Sequence, residues 1–103
     1  MSEMEKLIEM LQLGGVPHEV TLNMGTKQVW YPNKKEAVCD VICHKYSYGY
    51  EKGLLEMMGL TSEEDDVEGY LTAQEVYNRI GEYHIKNVLM PKMVEDILKT
   101  LAE

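Results

Sequence analysis

The chain contains no phenylalanine, one tryptophan, three prolines and two cysteines. Cys39 and Cys43 are too few for a disulfide framework and read as thiols in a reducing cytoplasm. No apolar run approaches ~20 residues, which argues against a membrane span. The start, Met1-Ser2-Glu3-Met4-Glu5, lacks the basic opening and apolar stretch of a signal peptide. Positive charge is scarce: 10 basic residues face 18 acidic ones, for a formal net charge of -8. Nonspecific binding to nucleic acid or to an anionic membrane needs a positive face, so both are disfavoured. The chain has no internal repeat, no low-complexity linker and no G-x-x-x-x-G-K-[ST] phosphate loop.

What is present is an ordinary globular balance, 45% apolar and 27% charged over 103 residues. That length supports one domain, residues 1–103, which buries roughly 65% of the surface its unfolded chain exposes. Ser2 and Glu5 form a capping box ahead of Met4, Leu7, Ile8 and Leu11, whose spacing predicts an amphipathic helix over 3–13 ending at Gly14-Gly15. The period then falls to two. His18, Val20 and Leu22 alternate with polar residues, Asn23-Met24-Gly25-Thr26 turns the chain, and Lys27 to Tyr31 returns as a second strand. Ala37 to His44 gives a third strand. One face is apolar (Ala37, Cys39, Val41, Cys43) and the other mixed (Val38, Asp40, Ile42, His44).

The second half reads as helical. Leu54, Leu55, Met57 and Met58 suggest a short helix closed by Gly59, and Thr61 with Glu64 a further capped turn. Thr72 and Glu75 form a second capping box, followed by Ala73, Val76, Tyr77, Ile80 and Tyr83 at helical spacing. Pro91 suits the first turn of a last helix with Met90, Val94, Ile97, Leu98 and Leu101 as its buried face. The expected fold is α+β: an N-terminal helix, a three-stranded antiparallel meander, then three or four C-terminal helices packed on the sheet.

Chemistry-bearing residues are sparse. On a strand, Cys39 and Cys43 lie about 13 Å apart at ~3.3 Å per residue, so they favour core thiols over a shared zinc ion. His18, His44 and His84 fall on three elements with no nucleophile at telling spacing, and packed or surface roles are their expected reading. A small nuclease uses a carboxylate followed by E-x-K on neighbouring strands. Glu19 and Asp40 are available, but Glu51-Lys52 lacks the intervening residue. No triad, metal set or cofactor motif marks an enzyme.

Two stretches stand out. In Lys45-Tyr46-Ser47-Tyr48-Gly49-Tyr50-Glu51-Lys52-Gly53, three tyrosines alternate between glycines ahead of the expected helix. Tyr46, Tyr48, Gly49, Tyr50, Lys52 and Gly53 form a candidate pocket, in which rings stack on a planar ligand and the helix start holds a phosphate. The plain alternative is a strand end packed under helices. The acidic run Glu63, Glu64, Asp65, Asp66, with Glu68 just beyond, reads as a solvated loop or as a patch mimicking nucleic-acid phosphates. It lacks the glycine and terminal glutamate of an EF-hand calcium loop. Trp30 and Tyr31 form an aromatic pair that anchors an interface if exposed and is core if buried.

Three blocks occur in order: Val38 to His44, then Ser47-Tyr48-Gly49, then Gly53 to Leu60. With Asp66 to Tyr77, they resemble small proteins encoded by phages and prophages of Gram-positive bacteria. The resemblance covers the middle half of the chain. It implies a phage or prophage origin and the bacterial cytoplasm, and it carries no activity and no site residues. Two function classes follow. In the first, the protein is non-enzymatic and inhibits a host defence protein. It binds that protein's basic surface through Trp30, Tyr31, Glu63, Glu64, Asp65, Asp66 and Glu68. In the second, the tyrosine–glycine pocket sequesters a nucleotide immune signal at the interface of a homo-oligomer. Lys34, Lys35, Lys45, Lys52 or Arg79 then supplies positive charge.

Overall fold

The computed structural model describes residues 1–62 and 64–102. Helix α1 (Glu3–Leu13) starts where the Ser2 side chain accepts the Glu5 N–H at 3.1 Å, and it buries Met4, Leu7 and Leu11. It stops at Gly14, which lies against the Tyr77 hydroxyl so closely that any Cβ would collide with it. Strands β1 (Glu19–Asn23) and β2 (Thr26–Tyr31) form a two-residue hairpin. Met24 and Gly25 both take positive φ, at 55° and 78°, as a twist-matched hairpin turn requires. Strand β3 (Cys39–Ile42) pairs with β2. After a 3₁₀ turn (Tyr50–Lys52) come β4 (Leu55–Met58) and β5 (Val67–Leu71). The five strands form one antiparallel meander in the order β1-β2-β3-β4-β5.

One face of this sheet makes the core. Val29, Tyr31, Cys39, Val41, Leu55, Met57 and Leu71 point to the same side. They meet Met4, Leu7 and Leu11 of α1 and Ala73, Val76 and Ile80 of helix α2 (Ala73–His84). The Thr72–Glu75 capping box that starts α2 is complete, with both reciprocal bonds formed. The Glu3 carboxylate accepts the Ala73 N–H at 2.9 Å, tying the first turns of the two helices together.

The α+β class, the first helix, the first two strands and the start of α2 stand as the sequence indicates, while the third strand, expected over 37–44, is confined to Cys39–Ile42. The second half differs. Leu55 to Met58 is a strand, not a helix: Leu55 and Met57 alternate into the core while Glu56 and Met58 face away, a period of two that four residues disguise. Residues 60–66 hold no helical turn among those described, and the Thr61 hydroxyl instead donates to the Asp65 carbonyl at 2.9 Å. Strand β5 was not expected, because Gly69 and the positive φ of Tyr70 interrupt its pattern.

The C-terminal helices are a single continuous run. From α2 the backbone passes through one π-helical turn (Ile85–Leu89) into α3 (Met90–Ala102), about 45 Å in all at 1.5 Å per residue. Pro91 explains the wide turn. It has no N–H for the Asn87 carbonyl and its ring crowds that carbonyl, so the preceding turn opens and Met90 N–H bonds to Ile85 O five residues back. The apolar face expected to be buried is not. Met90, Val94, Ile97, Leu98 and Leu101 are all exposed, because α3 projects beyond the sheet and gives the molecule its 57 × 28 × 24 Å shape.

Candidate interaction surface

The face of the sheet opposite the helices is built by register. Glu19 lies beside Trp30, Trp30 beside Asp40, Asp40 beside Met58 and Met58 beside Val67, one row across all five strands. Directly opposed residues share a face, so these five side chains stand together. Thr21 beside Gln28, and Ile42 beside Glu56, extend the same surface. Trp30 is fixed by donation from Nε1 to Thr21 Oγ1 at 2.8 Å, and Lys34 Nζ sits 5.8 Å from its ring centre. Met58 is 51% exposed.

Asp40 is the charged centre of this row. Burial pushes its carboxyl up from the ordinary value. The bond from Gln28 Nε2 to Oδ2 at 2.9 Å opposes that rise, and the nearby Glu56 charge adds to it. Glu19 accepts the Lys34 N–H at 3.0 Å and Glu56 accepts the Tyr48 N–H at 3.0 Å, so both carboxylates are held in place. In the loop between β4 and β5, the exposed Glu64, Asp65 and Asp66 continue the acidic margin. The surface is therefore a row of apolar side chains, Trp30, Met58 and Val67, interrupted by Asp40 and bordered by carboxylates.

Several expected site residues are placed elsewhere. Tyr31 is core, 1% exposed, on the helix side of β2. Its hydroxyl is 2.9 Å from His84 Nδ1, and the Tyr83 and His84 rings stand edge-on to it at 6.0 and 5.8 Å. It presents nothing to a partner. Glu68 opposes Met57 and so lies on the helix side. Its two oxygens take Arg79 Nη1 and Nη2 of α2 at 2.9 and 2.8 Å, and one oxygen also accepts the N–H and hydroxyl of Ser62. The Arg79 bond, ahead of the Ser62 bonds, holds this carboxyl down at about 2. Glu68 thus fastens the acidic loop to α2, with its charge paired to Arg79. Glu63 lies outside the described residues.

The three tyrosines of the tyrosine–glycine segment are exposed rather than packed under a helix, and the helix expected after it is absent. Gly49 and Gly53 supply left-handed positions around the 3₁₀ turn, and Gly53 leads straight into β4. Tyr46 and Tyr50 project into solvent, with Tyr46 edge-on to His44. Tyr48 lies over β5: its carbonyl accepts the Tyr70 N–H, and a side chain at Gly69 would collide with it. Tyr48, Gly69 and Tyr70 line a shallow cleft of about 310 Å³ with Asp65, Val67 and Glu68. Lys52 Nζ stands 5.9 Å from the Tyr70 ring, and the Tyr70 hydroxyl donates to Glu51 at 3.0 Å. The structure therefore brings the two sequence candidates to one place, the cleft that Tyr48 and Asp65 both line, and separates Tyr31 from both.

The three histidines do not converge. His18 bonds to the Val16 carbonyl, His44 accepts the Tyr46 N–H within its own turn, and His84 meets Tyr31. Both cysteines are free thiols, with Cys39 pushed up to about 12 by burial. Among the described residues no group of three or more His, Cys, Asp or Glu is placed to hold a metal ion. No described helix is long and apolar enough to cross a membrane. No family model, curated protein or solved structure matches the chain.

Proposed function

We propose that this protein is a non-enzymatic binding module whose open sheet face engages a basic surface of a partner protein. On the phage-like resemblance, that partner is a host defence protein that is blocked by occupation of its surface in the bacterial cytoplasm. The observation that carries the reading is the unbroken row Trp30–Asp40–Met58–Val67, bordered by carboxylates and running into the acidic loop. Trp30 and Met58 supply desolvated anchors. Glu19, Glu56, Asp65 and Asp66 supply a negative rim that steers a positive partner and fixes its orientation.

Asp40 supports this reading energetically. A half-buried carboxylate beside Glu56 costs stability in the free protein, and a cationic group from a partner relieves that cost. The alternative, sequestration of a nucleotide, meets an obstacle in its own cleft. Asp65 lines it and repels phosphate. Arg79, one of the cations expected to serve it, is engaged with Glu68.

The test is capture of bacterial host proteins by the tagged full chain, repeated with Trp30→Ala and with Asp65→Lys/Asp66→Lys. Supporting results are a partner lost with Trp30→Ala, association slowed by the lysine pair, and binding that weakens as salt rises. A partner retained by both variants at high salt contradicts the proposal.

A further inference from the structure

We infer that α3 is a self-association element whose apolar face is covered by the α3 of a second copy of this chain. This surface is separate from the open sheet face and the inference does not depend on that reading. Met90, Val94, Ile97 and Leu101 step by four, three and four residues, the spacing at which two helices interlock side chains along a seam. With Met93 and Leu98 they are 48 to 77% exposed, and no residue of α3 is buried. At ~200 Å² per large apolar side chain, of which somewhat more than half is exposed, these six present on the order of 700 Å², close to the ~800 Å² per partner that a stable dimer buries.

The same spacing runs through Val76, Ile80 and Tyr83 of α2, where the chain's own sheet and α1 cover it. The π-helical turn between them adds about one residue to the helical repeat. That swings the α3 stripe by roughly 100° off the line of the α2 stripe. The fold thus spends one half of the helix on its own core and turns the other half outward.

Charge decides between occupants. Lys86, Lys92 and Lys99 are balanced by Glu82, Glu95 and Asp96, and Lys86–Glu82 and Lys99–Glu95 are paired along the helix at 2.7 and 3.1 Å. An anionic membrane surface requires a basic excess, which α3 lacks. A copy of the same chain requires only another neutral, apolar stripe. The -8 of the whole chain opposes association, and a neutral helix extending from the acidic body is where that repulsion is weakest.

The experiment is sedimentation equilibrium of the full chain across micromolar concentrations, with Val94→Glu and Ile97→Glu alongside. Trp30 emission reports that the body stays folded in the variants. Expected are a self-associated species above the 11.9 kDa chain mass and a loss of at least ~100-fold in association constant in each variant. A monomer at every concentration, or self-association unchanged by both variants, overturns the inference. So does a monomer that binds lipid vesicles of phosphatidylcholine with phosphatidylglycerol.

Discussion

The long C-terminal helix contains the same apolar pattern twice, with opposite outcomes. In α2, Val76 and Ile80 are fully covered, by α1 and by the helix-side face of the sheet. In α3, Met90 and Val94 stand at the equivalent steps and remain about half exposed, as does Ile97 one step further on. Local propensity does not separate the halves, and neither does capping, since the run is continuous. What separates them is geometry: the sheet ends before the helix does. Amphipathic spacing states that a face needs a cover, and only the tertiary arrangement states which chain supplies it.

Matched truncations in α2 and α3 give the largest expected difference. Ile80→Ala is expected to cost about 3 to 4 kcal/mol in denaturant unfolding, because the fully buried side chain leaves a cavity. Ile97→Ala in dilute solution is expected to cost less than about 0.5 kcal/mol, since nothing in the same chain packs on it. Equal losses at the two positions would show that α3 folds back onto the body.

A smaller effect sharpens the anchoring of α2. Glu68 binds Arg79 with a carboxyl held at about 2, below the ordinary 4.5. Its folded value is depressed, so its contribution is fully present above pH 4.5 and is lost as pH falls through 2. After allowance for solvent screening, Glu68→Gln is expected to lower stability by about 1 to 2 kcal/mol at pH 7. The difference from the parent should shrink steadily in urea titrations below pH 4. A pH-independent difference would mean that packing, not charge, makes the contact.

The sheet offers the reverse sign. Asp40 is raised by burial, so the folded state holds its proton more tightly than the unfolded state does. Asp40→Asn is expected to raise the melting temperature by a few degrees at pH 7, equivalent to at most about 1 kcal/mol, while weakening partner capture. Higher stability with undiminished capture would remove Asp40 from the interface. The smallest effect belongs to Pro91. In Pro91→Ala an N–H returns for the Asn87 carbonyl, and amide exchange across residues 87–95 is expected to slow several-fold without changing exchange in α2.

Much of the fold was legible where period and punctuation agree. Ser2 and Thr72 fixed two helix starts within a residue, and Gly25 marked the hairpin turn. Leu55 to Met58 misled because four residues fit both a strand and a helical turn, and partners on β3 and β5 decided the matter. Of the candidate site, Trp30 and the exposed acids were legible as residue types. The row that joins Trp30 to Met58 and Val67 depended on β4 and β5, which the local pattern concealed. Glu68 was indistinguishable in sequence from its acidic neighbours, since its role depends on Arg79 eleven residues away.

The most direct measurement is hydrogen exchange of the full chain at two concentrations, about a hundredfold apart on either side of the association midpoint. The account requires α2 amides to be protected equally at both, and α3 amides to be protected only at the higher concentration. Protection of α3 that is the same at both concentrations would contradict it.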